Sequence, residues 1–494
     1  MELLFVPVAV LYFAVVGALF IYGINFFYLA ALSRLTTPSP VAPPLTAWPR
    51  VTIQLPIFNE LYVAERLIDA AASLDYPRDL LDIQVLDDST DETVGLARAR
   101  VADWRARGVN ITHFHRLHRV GFKAGALAHG LTHALGEYLA VFDADFVPPP
   151  DFLRRVLPHF HDAQVAFVQA RWQHINHGHS LLTRLEGLAL DAHFIIEQFV
   201  RFQHGYWFNF NGTAGVWRRA ALEDAGGWQA DTLTEDLDLS YRAFLRGWRA
   251  VYLRDLEVPG ELPVSFNAYR RQQHRWARGS FECAVKLLPP IWRGPGSVAR
   301  KMQATLHLTS YGIHLLLFVM SLLFPVVLAF SVRYPGVLSL SGLAVIFNIT
   351  LFAPSVFFAA AQWQTLGRGW WRLLPLILLF NLFGTGMILN TTRAAWHVVR
   401  HQPGVFERTP KFGLLRAPGE WLGHRYQIRF DVIVLYELAL ALFNLASVLF
   451  AIQTRNWTIA FYAALFCVSL LFTASLSLAQ TLAGLRVPHP RPLS

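Results

Sequence analysis

The chain has 494 residues, of which 54% are hydrophobic and 16% are charged, and its formal net charge is +9. A soluble protein of this length rarely has so few charged residues. The basic residues cluster beside apolar runs, which is typical of the inner loops of a membrane protein and argues against a nucleic-acid partner. The two cysteines, Cys283 and Cys467, are far apart, so no disulfide framework is expected.

The first apolar run, residues 5–31, is long enough to span a membrane as a helix. No basic cluster precedes it and no small-residue cleavage site follows it. Residues 1–35 are therefore interpreted as a retained N-terminal transmembrane anchor rather than a signal peptide. Residues 36–50 are rich in proline and predict a linker to the next domain.

Short apolar runs alternate with helical stretches between residues 51 and 290. Four runs predict strands, at residues 51–58, 82–88, 138–145 and 165–171. Three stretches predict helices, at residues 60–74, 91–107 and 123–135. This alternation indicates an α/β domain with a mostly parallel sheet and helices on both faces. Ligands of such sheets lie beyond the carboxyl ends of the strands, where three of the four runs carry polar or acidic residues.

The run YLAVFDADF ends in two carboxylates, Asp143 and Asp145, which are spaced so that both can point to one side. Hard oxygen ligands close together suit Mg²⁺ or Mn²⁺ holding a diphosphate. The alternative interpretation is an ordinary acidic turn after a strand.

Two further acids, Asp87 and Asp88, end the second predicted strand, and Asn59 and Glu60 follow the first. Helix capping explains the next residues, 89–91, but not the acids ahead of them. Carboxylates in this position can accept hydrogen bonds from the hydroxyl and N–H groups of a nucleotide.

The stretch LTEDLDL places Glu235 and Asp236 at the start of a predicted helix. Acids there complement the helix dipole. The alternative is that Asp236 is a general base that removes a proton from an attacking hydroxyl. Lys123, at the start of another predicted helix, is unfavourable for the dipole unless an anion binds, which favours a phosphate contact.

Residues 268–280, AYRRQQHRWARGS, form a strongly basic helical stretch. Gln272, Arg275 and Trp276 share one helix face. There Arg275 can bind phosphate oxygens, and Trp276 can stack on a sugar ring. The alternative is a basic amphipathic helix at a membrane surface. Three further arginines fit that alternative: Arg270, Arg271 and Arg278.

An interfacial connection at residues 291–304 leads to a predicted membrane region, 305–482, and a basic tail, 483–494. Apolar runs in this region cover residues 305–331, 336–361, 373–395, 431–453 and 457–482. The loop 396–430 is basic and should stay on the inner side. One resolution is that residues 373–395 lie in the interface or re-enter, so that five segments span. The basic residues of the loop and the tail include Arg400, Arg408, Lys411, Arg416, Arg425, Arg429, Arg486 and Arg491.

Histidine-rich stretches at 113–118 and 174–179 have spacings that could hold zinc. No cysteine or acid accompanies them in a familiar pattern, so they are interpreted as surface or substrate-channel residues. The aromatic stretch 204–215, HGYWFNFNGTAG, fits either a channel for sugar rings or core packing.

Taken in chain order, D-D-S, D-A-D, T-E-D and Q-Q-H-R-W resemble the motifs of the processive family-2 glycosyltransferases, which include cellulose synthase and hyaluronan synthase. The strings LPIFNE, LDDSTDET, GFKAGAL, FDADF, QARW and TAGVWR are similar to the cellulose-synthase-like β-mannan synthases. The resemblance covers about residues 50–290. It implies an α/β GT-A fold, a Rossmann-like mixed sheet, for residues 51–290, and an α-helical transmembrane region after it.

The resemblance also implies roles for single residues. Five residues would bind the nucleotide-sugar donor: Glu60, Asp87, Asp88, Lys123 and Asp143. Asp143 and Asp145 would hold Mg²⁺ or Mn²⁺. Asp236 would be the catalytic base, with Glu235 beside it. Three residues would bind the pyrophosphate and the acceptor end of the glycan: Gln272, Arg275 and Trp276.

FERTPK, residues 406–411, resembles the F-x-V-T-x-K gating loop of cellulose synthases. Three of its residues match that pattern: Phe406, Thr409 and Lys411. Arg408 replaces the valine, so this chain departs from the family at that position.

The resemblance implies an inverting glycosyltransferase that extends a β-linked polysaccharide, a β-1,4-mannan, glucomannan or glucan. Its donor would be GDP-mannose or UDP-glucose, and its partners the growing glycan and membrane lipid. It would be a multi-pass protein of the plasma (inner) membrane with a cytosolic catalytic domain. The alternatives are a glycolipid synthase that transfers one hexose to a lipid, and a non-catalytic transporter or scaffold of the same fold.

Overall fold

The computed structural model describes residues 2–35, 41–333, 349–413 and 430–485. An N-terminal helix, α1 (Glu2–Leu32), precedes an α/β domain, and a series of apolar helices follows that domain. The α/β domain therefore lies between two apolar parts of the chain.

A seven-stranded sheet forms the centre of the α/β domain. Its strands are β1 (Val51–Ile57), β2 (Leu81–Asp87), β3 (Ile111–His115), β4 (Tyr138–Val141), β5 (Val165–His174), β6 (Gly215–Arg218) and β7 (Arg249–Gly260). Their order in the sheet is β3-β2-β1-β4-β6-β5-β7. Strand β6 runs antiparallel to β4 and β5, and the other neighbouring pairs are parallel. The prediction of a mostly parallel sheet is confirmed, and the four predicted strands are β1, β2, β4 and β5.

Helices pack on both faces of this sheet. They are α2 (Ala64–Ala72), α3 (Thr93–Ala106), α4 (Phe122–His133), α5 (Phe152–Val156), α6 (Leu181–Ala192), α7 (Phe199–Gln203), α8 (Arg219–Asp224) and α9 (Glu235–Leu245). Successive side chains of β4 point to opposite faces of the sheet. Ala140 packs in one apolar cluster, and Leu139 and Val141 pack in the other. Covering both faces is what allows a central strand such as β4, YLAV, to be apolar on both of its sides.

Two helices connect the α/β domain to the apolar region. Helix α10 (Phe266–Arg293) begins where Ser265 accepts a hydrogen bond from the backbone N–H of Ala268. Helix α11 (Val298–Leu308) follows, and α12 (Gly312–Arg333) begins the apolar region. The predicted apolar run 305–331 therefore starts too early, because its first residues belong to α11.

Five described segments are long and apolar enough to cross a membrane. They are Val6–Leu32, Gly312–Arg333, Thr350–Val399, Ile433–Gln453 and Trp457–Ala483. The third contains α13 (Ala353–Leu366), α14 (Leu374–Gly386) and α15 (Ile388–Val399), and the last two correspond to α16 (Ile433–Gln453) and α17 (Trp457–Leu485). Residues 336–348 of the predicted second run lie outside the described residues.

The predicted run 373–395 is not one helix, because α14 ends before Met387 and α15 begins after it. Its polar residues have partners, since Asn381 donates to Ser355 Oγ at 2.6 Å and Asn390 donates to the carbonyl of Arg270 at 2.9 Å. The chain that follows, residues 401–413, contacts the α/β domain and so lies on the same side of the apolar region as that domain. Loop residues 414–429 and tail residues 486–494 lie outside the described residues.

A buried ion pair joins α10 to the apolar helices. Arg270 and Glu437 of α16 are both fully buried, and Arg270 Nη2 lies 2.8 Å and 2.9 Å from the two carboxylate oxygens. Arg278 is also buried and bonds to Glu282 on its own helix. The alternative of a basic membrane-surface face is therefore wrong for these two arginines, because their charges are matched inside the protein.

Glu437→Gln should lower the apparent unfolding temperature of the detergent-solubilised protein. The substitution leaves Arg270 buried without a counter-charge, and breaking a buried pair in this way costs about 3–5 kcal/mol. The matched control is Glu407→Gln, which removes the partner of the half-exposed Arg271 and should cost less than about 1 kcal/mol. Equal shifts for the two variants in thermal unfolding would show that the buried pair does not hold α10 to α16.

Candidate active site

A cavity of about 540 Å³ lies beyond the carboxyl ends of the strands and extends to the apolar helices. It brings together most of the predicted site residues: Glu60, Asp88, Lys123, Asp143, Asp145, Glu235, Asp236, Gln272, Arg275, Trp276, Phe406, Thr409 and Lys411. These residues come from the ends of three strands, the starts of two helices, α10 and the segment after α15. Distant parts of the chain therefore converge on one site.

Asp236 lies in the first turn of α9, with Glu235 before it. The backbone N–H of Leu237 donates to Asp236 Oδ1 at 2.9 Å. Gly212 has a φ of +77°, and a Cβ at this position would come within 3.0 Å of Asp236 Oδ2. Burial, followed by the charge of Glu235, raises the pKa of Asp236 to about 7. A carboxyl with that pKa is suited to accept a proton near neutral pH.

Lys123 lies at the start of α4 and contacts acids rather than open solvent. Its Nζ is 2.5 Å from Asp143 Oδ1 and 3.8 Å from Glu235 Oε1, and it donates to the carbonyl of Gly212 at 2.9 Å. Burial acts to lower the pKa of Lys123, but the charges of Asp143 and Glu235 outweigh it and raise the pKa. Its predicted phosphate contact stays a prediction.

Asp143 and Asp145 both line the cavity, and each has a lysine partner. Asp145 Oδ2 lies 2.9 Å from Lys411 Nζ, and Asp143 pairs with Lys123. Among the described residues, no group of three or more His, Cys, Asp and Glu side chains is placed to hold a metal ion. Two carboxylates that line the same cavity nevertheless fit a magnesium-type cation that takes its other ligands from phosphate and water.

Asp87 and Asp88 are neighbours in sequence but have different surroundings. Asp87 is fully buried, does not line the cavity, and accepts a hydrogen bond at 2.8 Å from the backbone N–H of Ser89. Its Oδ2 lies 2.8 Å from His113 Nε2. Burial acts to raise the pKa of Asp87, but the hydrogen bonds from His113 and Ser89 outweigh it and lower the pKa. Of the two predicted nucleotide contacts, only Asp88 is placed at the cavity.

Two arginines that the sequence interpretation overlooked lie beside Asp88. Arg116 binds both carboxylate oxygens, through Nε at 2.7 Å and Nη2 at 2.6 Å. The guanidinium of Arg119 lies 3.6 Å from the centre of the Phe58 ring. The signal for both is the basic run HRLHR, residues 115–119, from which the sequence analysis takes only the histidines.

Residues 403–413, here called the gating segment, lie against the cavity. Arg408 Nη1 is 3.0 Å from Glu60 Oε2, and Lys411 pairs with Asp145. The Arg275 guanidinium lies 4.2 Å from the centre of the Phe406 ring. Arg408, which replaces the valine of the family pattern, is therefore the ionic partner of Glu60, an acid predicted to bind the donor.

The two interpretations of the aromatic stretch 204–215, a sugar channel and core packing, each apply to some of its residues. Phe208 and Phe210 are buried in the apolar core, while Asn209 and Asn211 line the cavity. Asn211 Oδ1 lies 2.9 Å from Asn209 Nδ2, which donates to it, and 3.3 Å from His193 Nε2. The aromatic residues serve packing, and the amides face the site.

Several buried polar atoms at the cavity have no hydrogen-bond partner among the described residues. They include Trp172 Nε1, both carboxylate oxygens of Glu186, Asn211 Nδ2, Gln272 Oε1 and Thr409 Oγ1. Leaving a buried polar group unpaired costs about 1–3 kcal/mol. Their concentration at one cavity indicates a ligand rich in hydrogen-bonding groups. The sequence interpretation did not identify Glu186, whose position depends on how α6 packs.

Among solved structures, the chain is similar to a mannosyltransferase from Pyrobaculum calidifontis in complex with GDP-Man and Mn²⁺. The TM-score is 0.53 at 22% sequence identity, over 80% of this chain and all of the other. At this identity the similarity concerns the fold, and it supports the predicted GT-A-like mixed sheet.

Two plant proteins share more sequence with the chain. It is 48% identical over 253 residues to glucomannan 4-beta-mannosyltransferase 1 of Oryza sativa subsp. japonica, which is 50% of this chain and 49% of that protein. It is also 48% identical over 251 residues to glucomannan 4-beta-mannosyltransferase 2 of Arabidopsis thaliana, 50% of this chain and 47% of that protein. The chain thus spans about half the length of these curated relatives.

Family models cover most of the chain. Residues 49–279 match the model described as glycosyltransferase like family 2, and residues 219–473 match the model described as cellulose synthase. Because the second match extends over just over half of the residues, the protein belongs to the cellulose synthase family.

Proposed function

We propose that the protein transfers a hexosyl group from a nucleotide sugar to the end of a growing β-linked polysaccharide, with inversion at the anomeric carbon. The observation that carries this proposal is the convergence of Asp88, Asp145 and Asp236 with Arg275 on one cavity. The relatives named glucomannan 4-beta-mannosyltransferases favour GDP-mannose as donor and a β-1,4-mannan or glucomannan as product. UDP-glucose is the second donor candidate.

The reaction requires a base, a leaving-group site and an acceptor site. Asp236 takes the proton of the acceptor hydroxyl, whose oxygen attacks the anomeric carbon while the bond from that carbon to the diphosphate breaks. Arg275 and Lys123 place positive charge where the diphosphate departs. Asp143 and Asp145 would hold Mg²⁺ or Mn²⁺, which supplies further charge for the same leaving group. Lys411 must first release Asp145.

The shape of the cavity favours a polymer over a single transfer to a lipid. The cavity continues from Trp276 to side chains of α12, α14, α15 and the break between the last two, which include His314, Phe380, Met387 and Thr391. Such a continuation suits an extended glycan leaving the site between the apolar helices. We infer that the α/β domain and the gating segment face the cytosol at the plasma (inner) membrane.

Purified protein incubated with a panel of sugar nucleotides should release nucleoside diphosphate with GDP-mannose above all others. The product should be a ladder of β-1,4-linked chains, checked by linkage analysis and gel electrophoresis. A single lipid product of shifted mobility would instead identify a glycolipid synthase.

Asp236→Asn should reduce turnover by about 10²–10⁴-fold, the usual contribution of a general base, and leave nucleotide binding intact. The readouts are nucleoside diphosphate release and calorimetric binding of GDP. The control is Asp231→Asn, which alters a half-exposed acid paired with Lys286 outside the cavity lining. Unchanged turnover would remove Asp236 from the mechanism.

The kcat/KM of the protein should fall as the pH is lowered through 7. The base works only when ionised, and the pKa of Asp236 is raised to about 7 in the free protein, which is the state that kcat/KM reports. Below that pH the profile should approach a tenfold loss per pH unit. Initial rates between pH 5.5 and 8.5 measure this, and a flat profile from pH 6 to 8 would contradict it.

A further inference from the structure

A series of hydrogen-bonded side chains lies along the cavity and is not used by the reaction above. It begins in a π-helical turn, His193–Gln198, that joins α6 to α7. Such turns are rare and often occur at functional sites. Two side chains of the turn, His193 and Glu197, line the cavity. Glu197 Oε1 lies 3.2 Å from Nε of the buried Arg201, and Glu197 Oε2 lies 3.1 Å from His193 Nδ1.

The other end of this series is the amide of Asn211. His193 Nε2 lies 3.3 Å from Asn211 Oδ1, and Asn209 Nδ2 donates to the same oxygen at 2.9 Å. Asn209 Nδ2 also donates to the carbonyl of Phe210 at 3.1 Å, which fixes the orientation of the Asn209 amide. Because Asn209 presents its NH2 group, Asn211 presents its oxygen, and His193 Nε2 is the second donor to that oxygen.

The NH2 group of Asn211 is left for a ligand. Its nitrogen is buried at the cavity and has no hydrogen-bond partner among the described residues. A buried donor without a partner lowers the stability of the empty protein. The two hydrogen bonds to Oδ1 nevertheless hold the amide in one orientation, so the donor is preorganised for an oxygen atom of a ligand.

The backbone places this donor next to the proposed base. Gly212 follows Asn211, and a Cβ on Gly212 would come within 3.0 Å of Asp236 Oδ2. The residue before it, Phe210, donates its backbone N–H to Ser240 Oγ at 2.9 Å, and Ser240 donates to the carbonyl of Asp236 at 2.6 Å. The chain on both sides of Asn211 is thus bound to α9, close to the hydroxyl that Asp236 deprotonates.

The remainder of the series lies toward the proposed exit of the glycan. Arg201 Nη1 donates to the carbonyl of Gln303 in α11 at 3.1 Å. Helix α11 leads into α12, and His307 of α11 and Tyr311, just before α12, line the cavity. The amide of Asn211 therefore lies between the proposed base and the helices among which the glycan leaves.

We propose that Asn211 donates a hydrogen bond to a hydroxyl oxygen of the last sugar unit of the acceptor glycan, and that His193 is a positioning residue that holds the amide in this orientation. A second contact on the sugar unit that Asp236 deprotonates restricts its rotation and keeps the attacking oxygen in place. This role rests on the proposed function.

Two substitutions of His193 separate its two hydrogen bonds. The NH2 group of a glutamine reaches about as far as Nε2 of a histidine, and that of an asparagine about as far as Nδ1. His193→Gln therefore keeps a donor to Asn211, whereas His193→Asn keeps only the contact with Glu197. Asn211→Leu removes the proposed ligand contact itself and leaves a side chain of similar shape.

Asn211→Leu should raise the KM of an added acceptor, a short β-1,4-linked mannan oligosaccharide, about tenfold, as expected for one lost hydrogen bond. His193→Asn should raise it about threefold or more, because the amide is present but no longer held. His193→Gln should stay within about twofold of the wild type, since the bond to Asn211 is kept. The KM of the sugar nucleotide and the binding of free nucleoside diphosphate should be unchanged in all three variants.

The double variant of His193→Asn and Asn211→Leu separates positioning from a structural role. Its acceptor KM should equal that of Asn211→Leu alone, because His193 acts only through the amide that is already lost. Two losses that add would overturn the positioning role, and so would equal losses in His193→Asn and His193→Gln. An unchanged acceptor KM in Asn211→Leu, or a rise in the KM of the sugar nucleotide instead, would overturn the contact itself.

Failure of the proposed function would look different. The wild-type protein would then release no nucleoside diphosphate from any sugar nucleotide, with or without the oligosaccharide. A wild-type enzyme that turns over normally and is matched by all the variants in acceptor KM would overturn the roles of Asn211 and His193 alone.

Discussion

The structure depends on neutralising many acids that lie close together in one buried cleft. Carboxylates that lie close together repel each other strongly where water is excluded. Each of Asp88, Asp143 and Asp145 has a cationic partner, and these partners come from different parts of the chain: Arg116, Lys123 and Lys411. Glu60 pairs with Arg408 of the gating segment. The charges that define the site therefore also bind the gating segment to the α/β domain.

Helix α10 connects the cavity to the apolar helices. One part of it lines the cavity with Gln272, Arg275 and Trp276, and Arg270, one turn away, is paired with Glu437 of α16. A charge buried in an apolar region is stable only when it is paired. The register of α10 against α16 is thus fixed by that pair, and with it the position of the site relative to the apolar helices.

Four of the seven strands could be predicted from the local sequence pattern, and the three strands that could not depart from that pattern. Strands β1, β2, β4 and β5 are apolar runs, and the acids after them were expected to meet because parallel strands end at one edge. Strand β3 is a short run in which three of the five residues are polar, β6 has only four residues, and the twelve residues of β7 include four charges and a proline. Glu186 could not be found from sequence, since only the packing of α6 against α10 and α14 shows that it lacks a partner.

The acids that follow the strands differ in whether they reach the site. Asp143 and Asp145 are two apart, and both line the cavity. Asp87 and Asp88 are adjacent, and only Asp88 does, while Asp87 is held away from the cavity by His113. The D-D-S motif therefore combines two different functions. Asp88 is placed to meet a ligand, and Asp87 fixes the end of β2 to β3.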